Sequence, residues 1–473
     1  APGPEAVATR ADLEVAMIDI TVDQLDAARA LIARATPGAA SDRGTAAMLL
    51  RVRGELAAAR ADFPTAVKLL ADAYYAAQAV DDAAIYLGAL ATLVRVVGEV
   101  QANLVAAEPW VRLADAAVDR DRRRAPDGVV EVLMALAAAA DRRGDGATVL
   151  ARTQQALALA GDQVGDDPLE AATVEHELAN ALASASRYPE AIEHERRAVS
   201  ACVGDLGPGH PTCHMYRASL ALLLAERGDG DAAVTAALEV QRDLDAAPPS
   251  TLTLHADALV NVGAVLLDVP AFRDQAARNF AQARDLYVAV HGPRHPDVAR
   301  IESNLAVIDM KRGAWAAAAA AHARALAIQE EHLGPDHSDV AATLFNLGTA
   351  QLRSGDLVGA LSSARRTVTA LDTLAPGSAR HVYAIRLLAE ALVRSGQLVA
   401  GETAARRALA LAERAGLATD DMAIEVARAD IALGQRLDEA RRLLRAARPY
   451  FAQYPEVFAH QLAEIDALLG QLK

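Results

Sequence analysis

A chain of 473 residues would ordinarily divide into two or more globular domains, unless it is a repeat array, in which length sets no such limit. A formal net charge of -15 argues against nonspecific nucleic-acid binding, which needs a clustered positive surface, and no uncharged apolar run of about 18 residues is present to span a membrane. Hydrophobic residues reach 53%, but much of that is alanine and aromatics are only 4%, so the chain is built to pack many small faces closely.

The chain opens Ala-Pro-Gly-Pro with no methionine, as expected of a chain processed or cut from something longer. Residues 1–45 read as N-terminal helices with a partial repeat. LRVRGELAAARADFPTAVKLLADAY, Leu50 to Tyr74, reads as two helices and a turn, whereas Val94 to Ala114 follows the same pattern only loosely. The basic run Arg120 to Arg124 precedes Ala-Pro-Asp-Gly and reads as a solvated loop.

From residue 137 onward the chain keeps time. Small residues recur at Ala156, Ala198, Val240, Ala283, Ala325, Thr367 and Ala408, with steps of 42, 42, 43, 42, 42 and 41. A second column, Ala137, Ala179, Ala221, Gly263, Ala306, Gly348 and Ala389, holds only Ala or Gly. Two such columns predict two faces where helix backbones approach closely, because a large side chain there would force the pair apart. Between them stand Gly144, Ser186, Gly228, Pro270, Gly313, Gly355 and Gly396, the predicted turns. Each repeat is therefore two helices and a short turn.

At the junction between repeats the chain says AVHGPRHPDVARIESNLA and then EEHLGPDHSDVAATLFNLG. Gly-Pro stops one helix, since glycine accepts the left-handed C-terminal conformation and proline cannot continue the ladder. Pro296 suits the first position of the next helix, Asp297 and Asp339 place negative charge at its positive end, and His295 and His337 stand at the N-cap. Metal ligation would need imidazoles converging on one ion at about 2.0–2.1 Å, but equivalent positions of stacked helices lie about 8–10 Å apart, so no metal is expected. Cys202 and Cys213 flank a similar junction; one bridge or two buried thiols both remain open. Past residue 410, LGQRLDEARRLL fits one more repeat, and from Pro455 on, Phe458, Leu462, Ile465 and Leu469 space as one amphipathic capping helix.

The segments LGPDHSDVAATLFNLGTAQLRSGDLVGA, HGPRHPDVARIESNLA with Trp315, and SRYPEAIEHERRAV resemble the tetratricopeptide repeat in its long, kinesin-light-chain-like 42-residue form. The resemblance is strongest from about residue 170 to 410. It implies an all-α, right-handed superhelical solenoid of about ten stacked helix-turn-helix repeats, with the array over 46–450 and a cap over 451–473. The alanine- and arginine-rich style is also similar to the repeat regions of some bacterial serine/threonine kinases.

The resemblance further implies that first helices line a concave groove, where an asparagine two positions before the small column bonds a peptide backbone. Here that position reads Ala135, Glu177, Ser219, Asn261, Asn304, Asn346 and Leu387. On the same face Arg300, Lys311, Arg353, Arg386 and Arg394 gather in the C-terminal half, while Glu131, Asp141, Glu177, Glu226, Asp257 and Asp268 dominate further back, with Arg142 the exception. His176-Glu177 and Glu193-His194-Glu195 lack the second histidine of a zinc-protease motif, and no phosphate loop, nucleophile elbow or kinase signature is present. The expectation is a non-enzymatic scaffold, without cofactor, that binds an acidic or chain-terminal peptide through these asparagines and cations. The alternative is the sensor or docking region of a larger bacterial signalling protein. A cytoplasmic setting is expected, with an extracytoplasmic one left open.

Overall fold

The computed structural model describes all residues except 1–3, 22–23, 41, 101–103, 143–144, 164–167, 185–186, 248–252, 336, 454, 456–457 and 473. Its described residues form helices and no strand. They fall into two compact units: unit 1 comprises residues 1–308 and 331–334, and unit 2 comprises 309–330 and 335–473.

Unit 1 is a succession of helical hairpins. They are α1 (Pro4–Thr21) with α2 (Leu25–Ala39), α3 (Arg43–Ala59) with α4 (Phe63–Ala79), and α5 (Ala83–Val94) with α6 (Leu104–Asp121). Then come α7 (Pro126–Arg142) with α8 (Gly146–Gln163), α9 (Pro168–Ser184) with α10 (Tyr188–Leu206), α11 (Pro211–Arg227) with α12 (Gly230–Ala246), and α13 (Thr253–Leu267) with α14 (Arg273–His291). Helix α15 (Pro296–Lys311) follows. The loose fit of Val94 to Ala114 has a physical source: α5 runs into a π-helical turn over Arg95–Val100, and α6 carries Pro109 inside it.

Unit 2 takes most of α16 (Trp315–Leu333), then pairs α17 (Ser338–Ser354) with α18 (Leu357–Leu374), α19 (Ala379–Arg394) with α20 (Leu398–Ala415), and α21 (Asp420–Leu433) with α22 (Leu437–Ala452). It ends in α23 (Ala459–Gln471), whose Ile465 and Leu468 pack with Leu444, Ala447 and Phe451 of α22.

Both small columns are buried throughout, from Ala156 to Ala408 and from Ala137 to Ala389. The second column has no room to grow: a Cβ on Gly263 would lie 2.8 Å from Cε1 of Phe280, itself 1% exposed. Burying that ring contributes about 1.5–3 kcal/mol, which depends on the missing methyl. The predicted turn glycines 228, 313, 355 and 396 and the junction glycines 207, 292 and 334 all have positive φ. Pro270 instead opens a short 3-10 turn, Pro270–Phe272, while Gly144 and Ser186 lie outside the described residues.

The junction phrase is a cap. Nδ1 of His337 accepts from the backbone N–H of Asp339 at 3.1 Å, and Nδ1 of His295 does the same for Asp297 at 3.2 Å. His210 repeats the device for Thr212 at 3.3 Å. Cys202 and Cys213 are bridged, with Sγ–Sγ 2.11 Å, tying the last turn of α10 to the first of α11.

Candidate peptide-binding site

In unit 1 the faces of α9, α11 and α13, with Tyr188 of α10, enclose a cavity of about 690 Å³. Helices α11 and α13 pack directly against each other, so Ser219 and Asn261 on their facing sides meet. Asn261 donates through Nδ2 to Oγ of Ser219, one repeat earlier, at 3.1 Å, and Ser219 donates onward to Sδ of Met215 at 3.8 Å. Asn180 donates to Nε2 of His176 at 3.1 Å, which leaves the His176 hydrogen on Nδ1, 2.9 and 3.0 Å from the two Glu195 oxygens. Asp257 accepts the Tyr287 hydroxyl at 2.5 Å. Glu226 and Asp257 complete the lining.

Burial opposes charge on His176, but the hydrogen bond and charge of Glu195 prevail and raise its pKa. Burial pushes Glu195 up as well, despite His176. Burial likewise pushes the Glu226 carboxyl up. His194 has a different partner, Glu175, with Nδ1–Oε2 2.5 Å, so the two histidines serve separate hydrogen-bonded pairs between α9 and α10.

In unit 2 a second cavity, of about 440 Å³, is lined by Ala342, Phe345 and Asn346 of α17 and Arg380 and Tyr383 of α19. Asn346 is half-buried and its amide makes no side-chain hydrogen bond among the described residues. Arg380 is exposed and has no carboxylate partner among them.

Further along unit 2, Arg353, Arg386 and Arg394 come together around one carboxylate. Glu390, 3% exposed in its side chain, lies 4.0 Å from Arg353, 3.9 Å from Arg386, 2.6 Å from Arg394 and 3.5 Å from Arg428. Glu425 is equally buried, 3.4 Å from Arg386 and 2.7 Å from Arg428. Burial works against the Glu390 charge, but Arg428 and the other guanidiniums hold its pKa below the usual range. For Glu425 burial wins over Arg428, and its pKa is pushed up to about 7. Arg428 also reaches Glu464 of α23.

The predicted binding residues thus divide. Asn261 lies in the cavity of unit 1. Asn304 and Arg300 sit half-buried on α15, where Arg300 is 3.5 Å from Asp297, and Lys311 is exposed at the end of that helix. Asn346 lies in the cavity of unit 2, whereas Arg353, Arg386 and Arg394 are engaged with Glu390. Arg380, Tyr383 and Phe345 were not anticipated. Their signal was available in register, since Tyr383 falls about one repeat after Ala342 and Phe345 precedes Asn346 by one residue. Nor was the His176–Glu195 pair, whose members are 19 residues apart on the two helices of one hairpin.

Residues 297–372 match the family model of the tetratricopeptide repeat. None of the curated proteins matches the sequence. Among solved structures, the chain is similar to a signal-transduction ATPase with numerous domains that carries a tetratricopeptide repeat sensor, from Pyrococcus horikoshii. That match has TM-score 0.51 and 12% identity, and covers 75% of this chain but only 53%, about half, of that one. A Rap protein complexed with competence and sporulation factor matches with TM-score 0.46 and 14% identity over 73% of this chain and 99% of its own. BtubC from P. vanneervenii matches with TM-score 0.33 and 19% identity over 56% and 91%. The hairpins and the matched repeats define an all-α helical-repeat fold. Tetratricopeptide repeats are matched over residues 297–372.

Proposed function

We propose that this protein is a non-enzymatic interaction scaffold and that unit 2 binds an extended acidic peptide. The observation that carries the reading is the pairing, in one cavity, of an amide with no side-chain hydrogen bond and a guanidinium with no carboxylate partner among the described residues: Asn346 and Arg380. The amide would bond the peptide backbone, which gives grip with little sequence choice, and the guanidinium would select a carboxylate. Phe345 and Tyr383 would take an apolar or aromatic neighbour. The cluster beyond adds positive field, because Arg353, Arg386, Arg394 and Arg428 face three carboxylates, Glu390, Glu425 and Glu464. Asn304, Arg300 and Lys311, on α15, are candidate contacts in their own right and not part of this site, and Asn261 belongs to the cavity of unit 1.

The test is binding of labelled acidic, neutral and basic peptides to the wild type and to Asn346→Ala and Arg380→Glu. Acidic-peptide affinity should fall roughly tenfold for each variant, with Arg380→Glu shifting preference toward basic peptides. An unchanged acidic-peptide affinity in Arg380→Glu overturns the assignment. Arg353→Glu is a poor probe, since it would set a carboxylate against buried Glu390 and damage the fold.

For the compartment, the Cys202–Cys213 bridge favours an oxidising, extracytoplasmic setting over a cytoplasmic one. Thiol titration of the protein isolated from its native cell under acid quench should find no free thiol; two would return the protein to a reducing compartment.

A further inference from the structure

The cavity of unit 1 is rich in hydrogen-bond acceptors, with the Tyr188 hydroxyl and the spare amide hydrogens as its side-chain donors. A side-chain amide has a donor end and an acceptor end. Asn180 turns one Nδ2 hydrogen to His176 and Asn261 turns one to Ser219, so each keeps its carbonyl oxygen and its second amide hydrogen for a ligand. Ser219 gives its only hydrogen to Met215. Both nitrogens of His176 are committed, one to Asn180 and one to Glu195. Glu226 and Asp257 contribute carboxylates, the latter already accepting from Tyr287, and no lysine or arginine is among the described residues that line the space. Beneath these acceptors lies an apolar floor of Met215, Leu222 and Leu223.

A site that is rich in acceptors, negative in charge and apolar at its base fits a cation carried on a methylene stem. We infer that the unit 1 cavity binds the lysine or arginine side chain of an extended peptide, its stem on Met215, Leu222 and Leu223 and its charged head among Glu226, Asp257 and the oxygens of Asn180 and Asn261. The volume, about 690 Å³, exceeds what one long side chain fills and leaves room for adjoining backbone, which favours a peptide over a free amine. The Ser219–Asn261 link holds neighbouring repeats in register, so the acceptors are set before the ligand arrives. This site is of opposite sign to the one proposed in unit 2, and its failure would leave that reading standing.

The test is fluorescence polarisation with a labelled Ala-Ala-Lys-Ala-Ala probe and a twin carrying norleucine, which keeps the stem and drops the charge. Wild type should bind the lysine probe at least roughly tenfold more tightly than its twin. Glu226→Gln, which keeps the shape and removes the charge, should lose about that factor, and Glu226→Lys should abolish binding while its circular dichroism is unchanged. Arg380→Glu in unit 2 should leave the lysine probe unaffected, and Glu226→Lys should leave the acidic peptide unaffected, which separates the two readings. Equal affinity for the two probes, no effect of Glu226→Gln, or no detectable binding of the lysine probe would overturn the site. Spermidine competing as well as the peptide would overturn the peptide source.

Discussion

The cavities of the two units use the same part of the repeat and reach opposite chemistry. In unit 1, Ser219 and Asn261 occupy the position two before the small column, and the groups around them are acceptors and carboxylates. In unit 2, Asn346 occupies that position and its neighbours are Arg380 and two aromatic rings. What differs is not the scaffold. The small columns must stay small wherever helices touch, because volume there is paid for in packing, whereas the exposed positions beside them carry no such demand and are free to take either charge. A repeat protein can therefore hold one geometry along its length and change its specificity from segment to segment.

The contrast is sharpest in how each unit neutralises buried charge, and the largest expected effect lies there. Unit 2 concentrates four guanidiniums on Glu390, whereas unit 1 sets a single histidine against Glu195. Glu390→Gln should strand those cations and destabilise unit 2 by about 3–5 kcal/mol. Hydrogen exchange should then accelerate in α17 to α22 while α9 to α14 keep their protection. Uniform acceleration in both units would show that they do not respond separately. Glu195→Gln, which uncovers one histidine able to lose its proton, should cost less, about 1–3 kcal/mol.

The same groups predict different responses to pH. Glu425 has its native pKa raised, so the folded state holds a proton that the unfolded chain releases, and its contribution is complete below the unfolded value and is lost as pH rises toward about 7. Unit 2 should lose about 1–3 kcal/mol between pH 4.5 and 7 from this residue. Arg386, Arg394, Arg428 and Glu390 face it, and Glu390, with a lowered pKa, acts oppositely by weakening the fold as pH falls through its own native value. His176 is raised too, so its contribution is present below pH 6.5 and disappears as pH climbs past that, a window that starts where that of Glu425 is ending. Thermal melts of Glu425→Gln and His176→Gln across pH 4.5–8.5 should flatten these two windows separately. A flat profile in the wild type would show that the buried carboxyl and imidazole keep ordinary pKa values.

Much of this was legible in the sequence, and the boundary of legibility has a physical cause. The columns, turns and junction caps are written as single-residue demands: no Cβ at Gly263, positive φ at Gly228 and Gly355, a lone pair at His337. Such demands act locally and repeat, so one period exposes them all. The register position of Asn346, two before the small column, was legible for the same reason. The fate of Arg353, Arg386 and Arg394 was not, because a cation on a helix face gives no sign of whether a carboxylate on the same or a neighbouring helix claims it, as Glu390 does. Arg380 was hidden by the converse: it stands at the start of α19, and only stacking brings it to Asn346.

The smallest effect tests what the units share. His295 of unit 1 and His337 of unit 2 both accept, through Nδ1, the backbone N–H two residues on, which would otherwise be an orphan donor at a helix start. Asparagine is a good N-cap and can satisfy the same donor through its side-chain oxygen, so replacing either histidine by Asn should change stability by less than about 0.5 kcal/mol. Alanine offers no acceptor, and His295→Ala or His337→Ala should each cost about 1 kcal/mol. Because the device is the same, the two sites should behave alike even though their units differ in charge, and chemical denaturation of the four variants decides the matter. A loss in His337→Asn as large as in His337→Ala, with His295→Asn harmless, would mean that the 2% exposed ring of His337 is held for its packing or another contact rather than for its cap.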